Sequence, residues 1–426
     1  MASIIIDSQI QYNRLSVHMA KQFNRDSALL ISASGIQNAS ALILQLLLAR
    51  ILLPFDFGRL SIFMSVTTLI ALLATGGIIQ YLPALSRKRL VMNSPLPFDG
   101  VVIAGGFALV VAVLNGAAYY GGLYRHLATD LGVWFVWISL YIIGQSITQS
   151  LLNIAIGAGR SVRYVVVVIV LEITRVAGVL LLLINNAMTA DTVVRWWTIH
   201  SLAGAAVLVV PVWLTSKTGT FNNRSIKTIF DEYKPAFAFF LPVSGSFYLP
   251  RLLIFLCGAV AGATGAAYLS VAMTFISIYT IVLQPVQTAF LVAAAESVDP
   301  VIKKIPVMVA GTLGLGLGII VLSHFLIVPL FGESYRAAGS LTVVLALVFL
   351  FEWPKAFLDV LWMNCCRPLL LTVFELSKAG LVVLAFVPVL PLSLIQRLLI
   401  IGAVFLLITT LKSGILWSRM SRIAHE

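Results

Sequence analysis

Eight ionisable residues interrupt segments that are otherwise nearly free of charge: Glu172, Arg175, Arg251, Glu352, Lys355, Asp359, Glu375 and Lys378. An ionisable side chain in such surroundings faces a wet interior or an ionic partner. Spacing sorts them. Glu172 and Arg175 stand three apart, as do Glu375 and Lys378. Lys355 has Glu352 three residues before it and Asp359 four after. On a helix each of these cations reaches a carboxylate on its own face. Two readings therefore stay open for Arg175, Lys355 and Lys378: contact with a ligand, or mutual neutralisation by the acids Glu172, Glu352, Asp359 and Glu375. Arg251 has no acid within reach on its own helix, and it directly follows Pro250. An unpaired guanidinium there offers a bidentate grip on a diphosphate; the competing reading has it snorkelling to the interface. Asn38, Gln37 and Gln45 add amides suited to sugar hydroxyls or to bonds between helices.

The elements that carry these residues are apolar and long. Hydrophobic residues make up 60 % of the 426 and charged residues 10 %, with a mean hydropathy of +1.03. A soluble domain carries about a quarter of its residues charged. A helix needs about 20 apolar residues to cross the hydrocarbon layer, so the chain has room for about twelve spans and no sizeable soluble domain. The net charge of +12 suits a membrane surface and forms no basic cluster of the kind nucleic acid requires. Cys257, Cys365 and Cys366 fall in or beside apolar segments and imply no disulfide framework. The five histidines have no metal-ligand spacing, and no cofactor is expected.

The expected spans run near 27–49, 57–82, 99–120, 131–156, 163–184 and 192–214, then 236–258, 266–294, 306–330, 338–363, 368–389 and 395–417. The polar stretch Thr215–Pro235 splits them six and six. The reading is an all-α integral membrane protein, with a cytoplasmic amphipathic segment at 1–26, an N-lobe at 27–214, a linker at 215–235, a C-lobe at 236–418 and a tail at 419–426. Ile4–Ile6 is too short for the apolar core of a cleavable signal peptide. Most Lys and Arg, among them Arg87, Lys88, Arg89, Lys303, Lys304 and Lys412, fall in stretches that are cytoplasmic if the N-terminus is inside. Both termini are then cytoplasmic and the two lobes run parallel. A faint echo, Phe57–Ser61 against Gly265–Ser270, fits a repeat. Gly314 with Gly318, and Gly258 with Gly262, have the spacing that lets helices pack closely. Pro242, Pro250 and Pro285 predict kinks.

The run Leu48–Ala49–Arg50–Ile51–Leu52–Leu53–Pro54–Phe55–Asp56–Phe57–Gly58 resembles the first outer loop of the polysaccharide-biosynthesis flippases, the Wzx-type exporters of the MOP superfamily. Gly35, Asn38 and Ser40 match small and polar positions of that family's first span. Leu330–Phe331–Gly332–Glu333–Ser334–Tyr335 is similar to the element that opens its tenth span, and Asn364 with Arg367 to the loop before the eleventh. The resemblance runs through nearly the whole chain. It implies two parallel six-helix lobes around a central cavity. It also implies translocation of a polyprenyl-diphosphate-linked oligosaccharide, an O-antigen or exopolysaccharide repeat unit, across the bacterial inner membrane.

Membrane lipids, a polysaccharide polymerase and export proteins are the implied partners, with no nucleic acid. Arg50, in the motif, is expected at the outer mouth or as a cap on the first helix. Where the family often places an acid in the seventh span this chain has Arg251, so a coupling ion, H+ or Na+, is left without that site. A drug or metabolite antiporter of the same superfamily would share the fold. A membrane enzyme is disfavoured by short outer loops without a catalytic cluster.

Overall fold

In the computed structural model the residues described are 32–33, 35–75, 77–91, 96–122, 134–158, 160–215, 231–233, 249–277, 299–350, 368–387 and 392–423. Among them there is no β-strand. The helices are α1 (Gly35–Ile51), α2 (Pro54–Thr75), α3 (Ile78–Val91), α4 (Phe98–Tyr120), α5 (Phe135–Gly157), α6 (Ser161–Ile184) and α7 (Ala190–Thr215). They continue with α8 (Leu249–Ser277), α9 (Asp299–Phe331), a 3-10 turn at Glu333–Tyr335, α10 (Ala338–Leu350), α11 (Pro368–Ala385) and α12 (Leu394–Ile423). Seven of the described helical stretches are long and apolar enough to cross a membrane. Their outward faces are aliphatic: Val102, Leu109 and Val113 on α4 and Val166, Val170 and Ile173 on α6 are all exposed. Such contiguous apolar surface belongs in lipid.

The helices form two groups. In the first, α5 is the hub, with α2, α3, α4, α6 and α7 all packed on it. In the second, α10 packs on α9 and α12, and α11 on α12. One apolar core spans both, drawing Leu48 from α1, Phe57 and Phe63 from α2, Leu253 and Phe275 from α8, and Phe331 from α9.

Three expectations change. A second span at 57–82 is not what forms: α2 ends at Thr75, the backbone turns at Gly77 (φ +81°), and α3 begins at Ile78. The reason is composition: α3 carries Arg87, Lys88 and Arg89 and is far less apolar than α2. Among the described residues, a methyl group on Gly314 or Gly318 would meet nothing within 4 Å, so this pair forms no packing seam with them. Gly262 is a turn residue with φ +70°. Around it α8 folds back on itself: a Cβ on Gly258 would lie 3.7 Å from Ala266 Cβ, and one on Gly265 3.5 Å from Cys257 Sγ. Eight residues of straight helix would separate those pairs by about 12 Å. The helix therefore reverses between the seventh and eighth expected spans, in the left-handed conformation that glycine adopts freely.

Segment 1–26, Pro242, Pro285, the triad Glu352, Lys355 and Asp359, and Asn364 with Arg367 lie outside the described residues.

Candidate functional site

Two adjoining cavities open among the helices. The first, about 570 Å³, lies inside the N-terminal group between α1, α5, α6 and α7, and Gln37, Glu172 and Arg175 line it. The second, about 510 Å³, lies between α8 and the helices α1, α2, α6 and α7; Arg175 from α6 and Arg251 from α8 both line it, with Gln45, Ser61 and Ser270. Met64, Arg175 and Trp197 border both, so these side chains form the wall between the two. Ser61 on α2 and Ser270 on α8, the matching ends of the internal echo, thus border one cavity.

Glu172 is spoken for. Its Oε2 accepts from Ser40 Oγ at 2.7 Å and pairs with Arg175 at 2.6 Å. The i,i+3 partner is the one spacing predicts; Ser40, on α1, is added by the fold. Arg175 stays at the cavity edge, half-buried, and its buried Nε has no hydrogen-bond partner among the described residues. Behind it, Trp196 Nε1 donates to the Arg175 carbonyl at 3.2 Å. His200 Nε2 lies 2.9 Å from the Leu171 carbonyl, joining α7 to α6.

Arg251 makes no hydrogen bond or ion pair among the described residues and is partly open to the cavity. Tyr141 lies within electrostatic reach of both Arg175 and Arg251. With Glu172 cancelling Arg175, the surplus charge at the cavity is that of Arg251. Gln45 Oε1 accepts from Thr274 Oγ1 at 2.7 Å, a bond from α8 to α1 at the edge of this cavity. Asn38 borders neither of these two cavities.

Lys378 is placed differently from the expectation of a cavity ligand. It is 1 % exposed, 3.6 Å from Glu375, and stacks 4.8 Å over the Phe405 ring. Glu375 also pairs with Lys412 at 3.5 Å. Lys412, grouped by sequence with the cytoplasmic cations, is buried within α12 because α11 presents this carboxylate to it.

Arg50 neither caps its own helix nor lines these cavities. Its Nη1 donates to the Pro329 carbonyl at 2.7 Å and to that of Leu330 at 3.3 Å. Those carbonyls belong to the last turn of α9, where no intrahelical donor follows and the dipole favours a cation. Beside this tie, Phe57 and Tyr268 both stand edge-on to Tyr335, each at 6.1 Å. The two motif segments therefore meet in space. At the end of the first group marked by α3, Arg89 is 4 % exposed, with both Asp99 and Glu232 on its guanidinium at 2.6–3.1 Å. Burial works against its charge, but the bonds from Glu232 and Asp99 outweigh that and hold its pKa above the ordinary value.

The missed residues are polar and uncharged: Tyr141, Gln145, Thr148 and Gln149 on α5, and Trp197 on α7. The helical spacing of 141, 145 and 148/149 makes a polar stripe on an apolar span, a signal present in the sequence. Among the described residues no group of His, Cys, Asp or Glu is placed to hold a metal ion.

Solved structures match the whole arrangement. An inward-facing multidrug resistance MATE family transporter of the MOP superfamily aligns with a TM-score of 0.63 over 92 % of this chain and 95 % of its own, at 14 % identity. An outward-facing one aligns at 0.64 over 95 % and 96 %, at 13 % identity. The chain shares the fold of these two structures. A MOP transporter from Pyrococcus furiosus, described as having a binding pocket of reversed polarity, aligns at 0.63 over 94 % and 95 %, at 14 % identity. No family model and no curated protein matches the sequence.

Proposed function

We propose that this chain is a flippase for a polyprenyl-diphosphate-linked oligosaccharide in a bacterial inner membrane. The observation that carries the reading is the convergence of Arg175 on α6 and Arg251 on α8 on a single cavity. A guanidinium without a carboxylate partner, facing a cavity inside a membrane, calls for an anion, and its fork geometry suits phosphate oxygens. The resemblance of Leu48–Gly58 and Leu330–Tyr335 to the flippase motifs supports the same class.

A sugar–diphosphate head cannot enter hydrocarbon unaided, because stripping water from its polar groups is costly. A cavity between two helix groups carries the head while the prenyl tail stays in lipid. Rocking of the groups then exposes the cavity to each side in turn. The Lys/Arg distribution supports an orientation with both termini in the cytoplasm. In that orientation the Arg50 tie lies at the outer face and the Arg89 cluster at the inner one.

Arg251→Ala should lose at least tenfold of the export of lipid-linked repeat unit at normal membrane abundance, and Arg251→Lys should restore part of it. The measurement is accumulation of lipid-linked sugar in cells beside an immunoblot of membranes. Parent-like export by Arg251→Ala defeats the diphosphate grip. Efflux of ethidium by reconstituted parent protein, with no movement of lipid-linked sugar, assigns the chain to the drug antiporters.

A further inference from the structure

We infer that the cavity inside the N-terminal helix group is a glycan subsite, distinct from the adjoining cavity that Arg251 lines. The inference rests on the flippase reading and assigns the sugar its place. Gln145 and Gln149 stand one turn apart on α5 and Gln37 faces them from α1, all lining this cavity. All three are half-buried, and their amides form no hydrogen bond among the described residues. Tyr141 brings a phenolic hydroxyl one turn before Gln145. The Trp197 indole N–H and the Thr148 hydroxyl, which also line it, are buried and have no hydrogen-bond partner among the described residues.

The chemistry of these groups selects the ligand class. Each primary amide offers two donors and an oxygen with two lone pairs in one plane. A ligand that engages three of them must itself present donors and acceptors close together, as vicinal hydroxyls and an acetamido group do. An organic cation finds only Glu172, already held by Ser40 and Arg175. An apolar drug would leave the amides stripped of water and unbonded, which is unfavourable. An anion is better served next door at Arg251. Trp197 borders both cavities, so the sugar nearest the diphosphate sits at the indole and the chain extends toward Gln149.

The test uses the full chain in lipid nanodiscs and two probes: bare undecaprenyl diphosphate, and the polyprenyl-diphosphate-linked repeat unit extracted from the cells that make the protein. The parent should bind the glycosylated lipid at least tenfold more tightly than the bare one. Gln145→Ala/Gln149→Ala should bind the bare lipid within twofold of the parent and lose the sugar's tenfold gain. Bare-lipid binding reports that the variant is folded; should it fail to fold, Gln37→Ala, on another helix, is expected to lose the same gain. A parent that binds both lipids equally, or variants that keep the gain, overturn the glycan subsite. A parent that binds neither lipid overturns the flippase reading itself.

Discussion

The guanidinium of Arg50 reaches the carbonyl of Pro329, 279 residues away, at 2.7 Å. It ties the end of α1 to the end of α9, and so the first helix group to the second. Gly58 lies against Ala263 and Phe57 against Tyr335 in the same region. One end of the interface is thus closed by a cation on backbone oxygens and a small aromatic cluster.

Removing the tie should open that end. A charged hydrogen bond contributes about 1.5–3 kcal/mol, and a change of that size shifts a two-state equilibrium roughly tenfold or more. In a background with Cys257, Cys365 and Cys366 replaced by Ser, Ser270→Cys should resist an impermeant maleimide added to intact cells. Adding Arg50→Ala should raise its labelling severalfold. Equal labelling with and without Arg50 would remove the gate role, and labelling only in inverted vesicles would reverse the orientation.

The glycine of the first motif has a packing reason. A methyl group on Gly58 would stand 1.7 Å from the Ala263 carbonyl oxygen, a backbone atom that cannot swing aside. Gly58→Ala should cost about 3 kcal/mol or more, at or above the usual range for overpacking. Loss of folded protein in detergent, read by size-exclusion chromatography, checks this; a parent-like profile would contradict it.

The buried ionic cluster of α11 and α12 should respond unequally to its members. Glu375 serves both Lys378 and Lys412. Glu375→Gln removes the carboxylate that both Lys378 and Lys412 face and should lower membrane abundance, toward the roughly 3–5 kcal/mol typical of a broken buried pair. Lys378→Met leaves the Glu375–Lys412 pair intact and should cost less. Export normalised to abundance should be parent-like in Lys378→Met, because Lys378 borders neither described cavity; loss of export at full abundance would return it to the transport path.

Arg89 pins residues 231–233 to α3 and α4. Its replacement by Ala should speed amide hydrogen exchange at Tyr233 and Gly100 by tenfold or more while leaving α5 unchanged. Unaltered exchange at Tyr233 would mean that its own buried ring, rather than the ion cluster, holds this turn.

Much of this is legible in the residues themselves. The pairing of Arg175 with Glu172 follows from spacing on one helix, and the lack of an own-helix acid for Arg251 is visible in the same way. Contacts between distant segments are not: neither Ser40 on Glu172 nor Lys412 on Glu375 has a local signature. Lys412 misleads because Arg419 and Arg422 follow it and draw it into a cytoplasmic cluster. The stripe Tyr141–Gln145–Gln149 is present at helical spacing, but neutral amides stand out far less than charges against an apolar span. The break between α2 and α3 is hidden by Leu82 and Leu85, which look like a continued span and are instead buried in a small core with Tyr233.

The Arg50 tie has an unequal genetics. Its donor is a side chain, encoded by one codon on α1. Its acceptors are main-chain oxygens of α9, which every amino acid supplies. Substitution at Pro329 or Leu330 leaves an oxygen in place, so screens for variants with a leaky gate should recover losses at Arg50 far more often than at its partners. A defect on the α9 side would arise chiefly through changes that move the helix end as a whole, such as insertions or deletions before Gly332.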